Sequence, residues 1–160
     1  MKIAVCPGSF DPITIGHMDL AERAAAIFDR VLLCVMVNGE KHHMFSLDQR
    51  LELARIAVGR FPNVEAVACD GLLADFARTH GACALVKGVR GAADLDWEAQ
   101  MAQINRELCP GLDTVLLPAR PEHLHVSSTL VREMLRYGRP PDPYVPPGTE
   151  ELLQRIRQER

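Results

Sequence analysis

Residues 7–17, PGSFDPITIGH, bring together two glycines, the hydroxyls of Ser9 and Thr14, the Asp11 carboxylate and the His17 imidazole. Apart from the carboxylate, that set suits an anionic ligand. Glycine lets backbone approach closely, hydroxyls donate hydrogen bonds, and an imidazole adds a donor that can be cationic. Three more clusters share this character: NGEK with Lys41, KGVR with Lys87 and Arg90, and VSST with Ser127, Ser128 and Thr129. Each has an ordinary explanation when taken alone, since a surface Lys or Arg is usually just solvated and serines before a helix usually cap it. Together they point to a polyphosphate. No Ser or Cys has a partnered His arranged for a covalent intermediate.

The elements around these clusters determine whether they can meet. Residues 2–6, KIAVC, read as a buried strand bounded by Pro7 and Gly8. Beyond the loop, Leu20, Ala21, Ala24, Ala25, Ile27 and Phe28 form an apolar face at helical spacing, with Glu22, Arg23 and Asp29 turned outward. The first cluster thus joins a strand end to a helix start, where unpaired N–H groups and the positive end of the helix dipole attract phosphate.

The remaining chain alternates in the same way. VLLCVMV (31–37) is a buried strand. Ser46 and Gln49 then form a capping box that opens a helix running to about Arg60, with Leu47, Leu51, Ala54 and Val58 on one face. VEAVAC (64–69), CALVKGV and DTVLLP supply three further strands. GLLADFARTHG, DLDWEAQMAQINREL and SSTLVREMLRYG supply the helices that follow them. Such alternation predicts an α/β fold with a five-stranded parallel sheet and right-handed crossovers, whose ligand sits at the C-terminal ends of the strands. Lys41, Lys87, Arg90, His17 and residues 127–129 then converge on one crevice. RPPDPYVPPG reads as an extended connection, and a terminal amphipathic helix covers about 149–159.

Composition agrees with one soluble domain over 1–160, since 48% of residues are hydrophobic and 24% charged. The 18 basic and 21 acidic residues give a net charge of −3, which argues against bulk nucleic-acid binding. Cys6, Cys34, Cys69, Cys83 and Cys109 are scattered without CxxC spacing and read as reduced core residues. No signal-like stretch precedes Pro7, and residues 31–37 are too short to span a bilayer. The expectation is a cytoplasmic protein with no membrane partner.

The motif GSFDPITIGH resembles the signature of the nucleotidyltransferase superfamily related to class I aminoacyl-tRNA synthetases. Lys41 before MF, DGLLADFA, KGVRGAADLDWEAQMAQIN and VSSTLVRE, in this order and spacing, are similar to the bacterial phosphopantetheine adenylyltransferases from Lys2 to about Tyr137. The resemblance implies a single-domain, Rossmann-like, doubly wound fold that assembles as a homohexamer. It implies adenylyl transfer from ATP to 4′-phosphopantetheine in coenzyme A synthesis, with magnesium carried mainly on the ATP phosphates.

By motif position, the resemblance assigns Ser9, Lys41, Leu73, Lys87 and Asn105 to phosphopantetheine. Ser9, Phe10, His17, Gly88, Val89, Arg90 and Glu98 fall to ATP, together with His123, Leu124, His125, Val126, Ser127, Ser128 and Thr129. His17, Lys41 and Arg90 become the groups that stabilise the transition state. This chain departs from the family pattern in Lys87, where many relatives have Arg, in His123 and His125, where aromatics are usual, and in Thr129, where Ser is common. Nicotinate-mononucleotide adenylyltransferase, glycerol-phosphate cytidylyltransferase and a non-catalytic nucleotide-binding module are the alternatives. The KGVR motif with DGLLADF disfavours the first two, and retention of His17, Lys41 and Arg90 together disfavours the third.

Overall fold

The structure, a computed structural model, describes residues 1–37 and 42–158. Lys41 lies outside the described residues. The strands are β1 (Ile3–Gly8), β2 (Arg30–Met36), β3 (Val64–Cys69), β4 (Ala84–Val89) and β5 (Asp113–Pro118). The helices are α1 (Ile15–Ile27), α2 (Leu47–Val58), α3 (Leu73–Thr79), α4 (Ala92–Leu108), α5 (Ser128–Arg136) and α6 (Glu150–Gln158). All strand pairs are parallel, in the order β3-β2-β1-β4-β5. This is the doubly wound α/β fold expected from the sequence. The order reverses between β1 and β4, which opens a crevice at their C-terminal ends.

Strands covered on both faces need no polar alternation, and Ala4, Val5, Leu32, Leu33, Leu85 and Val86 are indeed buried. Ala21 and Ala24 of α1, Leu53 of α2, Val131 of α5 and Leu153 of α6 pack one face. Ala74 and Ala77 of α3, with Cys109 and Leu112 at the end of α4, pack the other. The amphipathic C-terminal helix therefore docks on its own domain through Leu152, Leu153 and Ile156.

Several local expectations shift. Strand β1 runs on through Pro7 and Gly8, in register with Cys34 and Val35. Its pairing with β4 stops at Val5, leaving an open side that a residue without an N–H can face. Helix α2 ends at Val58, and α4 starts at Ala92 behind Gly91. The proline-rich connection contains a 3-10 turn, Asp142–Tyr144, before the buried Val145. Ile27 and Cys83 are exposed, because α1 and β4 reach the surface there. No helix among the described residues is long and apolar enough to cross a membrane.

Candidate active site

The first turn of α1 is built from its own sequence. Thr14, in extended conformation, caps the helix, its Oγ1 accepting the His17 N–H at 3.4 Å. The Thr14 N–H donates to Nδ1 of His17 at 3.0 Å, closing a capping box in which histidine replaces the usual Glu or Gln. A backbone N–H can only donate, so Nδ1 is the acceptor and the ring proton sits on Nε2. The Phe10 ring meets the imidazole edge-on, 5.0 Å between centroids and 88° between planes.

Phe10 adopts a φ of 46°, in the left-handed region, and its ring folds back over Gly8. A Cβ at Gly8 would lie 2.8 Å from that ring, so the glycine makes room for the aromatic wedge. His17 keeps part of its surface on the cavity, yet burial and the neighbouring Arg90 cation push its pKa down from 6.5 to about 4. The cationic donor the sequence allows is therefore a neutral one near pH 7, presenting Nε2–H.

The cavity has a volume of about 400 Å³ and opens at the switch between β1 and β4. Its floor is Gly8, Phe10, Gly16 and His17; β4 contributes Lys87 and Gly88, and Arg90 follows that strand. The far wall is His123, Val126 and residues 127–129. Of the expected residues, Phe10, His17, Lys87, Gly88, Arg90, Glu98, His123, Val126, Ser127, Ser128 and Thr129 thus border one space. Ser9, Val89, Leu124 and His125 do not line it; His125 instead meets Tyr144 edge-on. Leu73, at the start of α3, and Asn105, buried on α4, lie on the opposite side of the sheet.

The cations are partnered rather than free. Lys87 Nζ lies 3.1 Å from Glu98, and Arg90 Nε lies 3.6 Å from Asp94, whose carboxylate also accepts the Arg90 N–H at 3.0 Å. The hydroxyls differ. Ser127 caps α5 by accepting the Leu130 N–H at 3.1 Å and Thr129 accepts from Arg132 at 3.1 Å, so both keep an O–H to donate, whereas Ser128 donates its own to the Pro12 carbonyl at 2.8 Å. What α5 offers an anion is its first-turn backbone N–H groups together with the Ser127 and Thr129 hydroxyls. His123 presents a buried Nδ1 with no hydrogen-bond partner among the described residues.

Sequence reasoning missed the groups that hold this site together. Buried Asp11 accepts the N–H groups of Met44 and Phe45, both at 2.9 Å, while its own carbonyl accepts from Arg132 at 2.7 Å. Arg50, only 3% exposed, donates to the carbonyls of Ser9 at 2.7 Å and Met36 at 3.1 Å, tying the ends of β1 and β2. Burial pulls its pKa down from the ordinary arginine value. Asp19, with Arg23, also borders the cavity. The only local signal for any of these was Asp19 and Arg23 at helical i, i+4 spacing. Among the described residues, no cluster of His, Cys, Asp or Glu is placed to hold a metal ion.

A cytidylyltransferase-like family model matches residues 5–134. The phosphopantetheine adenylyltransferase of Symbiobacterium thermophilum is 47% identical over 151 residues, covering 94% of this chain and 93% of that protein. Its counterpart from Psychromonas ingrahamii is 43% identical, covering 96% and 95%. Among solved structures, a putative nicotinate-nucleotide adenylyltransferase from Vibrio parahaemolyticus superposes with a TM-score of 0.72 over 100% of this chain and 98% of its own. At 21% identity that likeness speaks for the fold alone. The relatives match nearly end to end and the family model spans most of the chain: this chain belongs to the phosphopantetheine adenylyltransferase family.

Proposed function

We propose that this protein transfers the adenylyl group of ATP to 4′-phosphopantetheine, releasing pyrophosphate and 3′-dephospho-coenzyme A. The observation that carries the reading is the orientation of His17. Its Nε2–H is held at the N-terminus of α1, inside a cavity that also gathers Lys87, Arg90 and the first turn of α5. An oxygen of the phosphopantetheine phosphate attacks the α-phosphorus of ATP. The new P–O bond forms as the bond to the β-phosphate oxygen breaks, and pyrophosphate leaves with the electron pair. The nucleophile is already anionic, so no general base is needed. Catalysis is positioning plus stabilisation of the charge that grows on the non-bridging and leaving oxygens. His17 donates there as a neutral dipole. Arg90 and Lys41 add positive charge.

The far wall receives the nucleoside, where the unpaired Nδ1 of His123 supports an adenine contact. Ser9, Lys87, Leu73 and Asn105 are assigned to phosphopantetheine, whose arm then runs past the Lys87–Glu98 pair toward the α3 and α4 side. The donor set fits a nucleotide that brings its own magnesium, because Asp94, Glu98 and Asp19 are already ion-paired while cations and helix N-termini face the phosphates. When bound, that ion neutralises phosphate charge. Self-association, with the homohexamer of the resemblance as the proposed form, is supported by Trp97, Ile104 and Leu108, which with half-buried Met101 form an exposed stripe at heptad-like spacing on α4.

The test is pyrophosphate release from ATP and magnesium, with 4′-phosphopantetheine and nicotinate mononucleotide offered side by side. Turnover with phosphopantetheine is expected. Turnover only with the mononucleotide, or with neither, overturns the proposal.

A further inference from the structure

The geometry points to Asp19 as a positioning residue: by gripping Arg23 and Arg120 it fixes the cavity wall that receives the nucleotide, an inference that rests on the adenylyl-transfer reading above. Asp19 stands on α1 just beyond His17 and is only 8% exposed. A carboxylate buried to that degree is costly unless paired. Its Oδ1 lies 2.9 Å from Arg120 Nε as an ion pair, and its Oδ2 accepts from Arg23 Nη1 at 3.4 Å. The same Arg23 nitrogen donates to the Pro118 carbonyl at 2.8 Å. The chain leaving β5 is thus strapped to α1 on both sides of Ala119, while the Ala119 N–H reaches Val89 of β4 at 2.8 Å.

The far wall begins immediately after Arg120. The Arg120 carbonyl accepts the His123 N–H at 2.9 Å, the His123 carbonyl accepts the Val126 N–H at 3.0 Å, and Ser127 then caps α5. The His123 Cβ comes to 3.9 Å from where a Cβ on Gly16 would stand, so this wall leans on the same helix start that carries His17. Movement of residues 119–126 would therefore change the spacing between the nucleoside side of the cavity and the phosphate side. Asp19 does not itself contact phosphate. A free carboxylate there would repel it, and both oxygens are occupied by arginines. An exposed ion pair alone would carry little weight, and Arg120 is half exposed, but here one partner is buried, and removing it takes the carboxylate from Arg120 and leaves Arg23 with the Pro118 carbonyl alone.

Asp19→Asn and Arg120→Ala are compared with the parent by calorimetric titration of a non-hydrolysable ATP analogue and of AMP, and by steady-state kinetics with both substrates. A misplaced wall weakens the analogue and AMP alike, by about tenfold, the order reached by residues that bias a site without touching its ligand. The double variant is no weaker than Asp19→Asn alone, because that change already removes the ion pair to Arg120. The KM for ATP rises in parallel, while kcat and the KM for phosphopantetheine change by less than about threefold. Asp19→Asn binding the analogue as tightly as the parent overturns the proposal. So do losses confined to the analogue, which make Arg120 a direct phosphate contact, and equal losses for both substrates, which make the role merely structural. If Asp19→Asn does not fold, half-exposed Arg120→Ala decides by the same analogue and AMP comparison. A parent protein that binds the analogue without releasing pyrophosphate refutes the proposed reaction and leaves these binding comparisons to judge Asp19.

Discussion

Two strand-to-helix junctions flank the crevice, and they are built in opposite ways. Between β1 and α1, Phe10, Asp11, Ile13 and Thr14 are all buried, and the helix starts on a capping box that clamps the His17 imidazole. Between β4 and α4 the helix starts on Gly91 with no side-chain cap, and the Arg90 side chain is 51% exposed beside Asp94. The first junction carries direction and the second carries charge. A neutral N–H helps a transition state only when it is aimed correctly, whereas a cation acts through a field that falls off slowly and tolerates slack. The buried, capped junction is thus the one that holds the donor proposed to act at the transition state.

The sharpest way to break this contrast is to remove the aimed donor. His17→Ala should lower kcat by roughly a hundredfold or more, the scale of losing one preorganised donor, with the affinity for an ATP analogue changed far less. A collapse of nucleotide affinity with kcat preserved would make His17 a binding group. Next in size is the clamp: Thr14→Val, which keeps the volume but loses the cap and the hydroxyl beside Nδ1, should cost about 1 kcal/mol of stability and lower kcat by about tenfold. Thr14→Ser should restore both, which thermal melts and turnover rates would check.

The exposed junction should respond more gently. Arg90→Ala is expected to lower kcat/KM for ATP severalfold, and raising ionic strength should shrink that difference, since salt screens exposed charge. The smallest effect is on His17 itself, followed by NMR titration of its ring in the free protein. Its midpoint should lie near pH 4 and rise in Arg90→Ala, yet stay below 6.5, because burial is the larger cause. A folded pKa below the unfolded one means this imidazole favours the fold fully above about pH 6.5 and progressively less as pH falls toward 4. A midpoint near 6.5 would remove the neutral-donor argument.

Much of the fold was legible because its signals are local. Buried parallel strands read as unbroken apolar runs, and the Ser46–Gln49 capping box marked the start of α2 where the structure places it. Of the residues the resemblance named, the sheet order gathers Phe10, His17, Lys87, Gly88, Arg90, Glu98, His123, Val126 and 127–129 around one cavity, while Ser9, Leu73, Val89, Asn105, Leu124 and His125 do not line it. Partnership was not legible. That Arg50 is buried under two strand ends, that Asp11 holds Met44 and Phe45, and that Glu98 pairs with Lys87 depend on residues far apart in the chain. No local pattern encodes such pairings. The charge state of His17 was likewise hidden, since it follows from desolvation rather than from residue type. Pro7 and Gly8 read as the end of β1, although the strand runs through them, because turn residues mislead where one side of a strand is open.

The position of β1 in the sheet has a consequence for how the protein is made. Its first neighbour, β2, follows soon after, but its second, β4, pairs Ala84 with Ala4 and Leu85 with Val5 across half the length of the polypeptide. During synthesis the strand that leads to His17 therefore emerges first and waits with one edge unpaired until β4 leaves the ribosome. Closing that gap is a long-range, entropically expensive step. Folding should then proceed from a β1–β2–β3 half-sheet toward late capture of β4 and β5, and the crevice should be the last part of the molecule to exist.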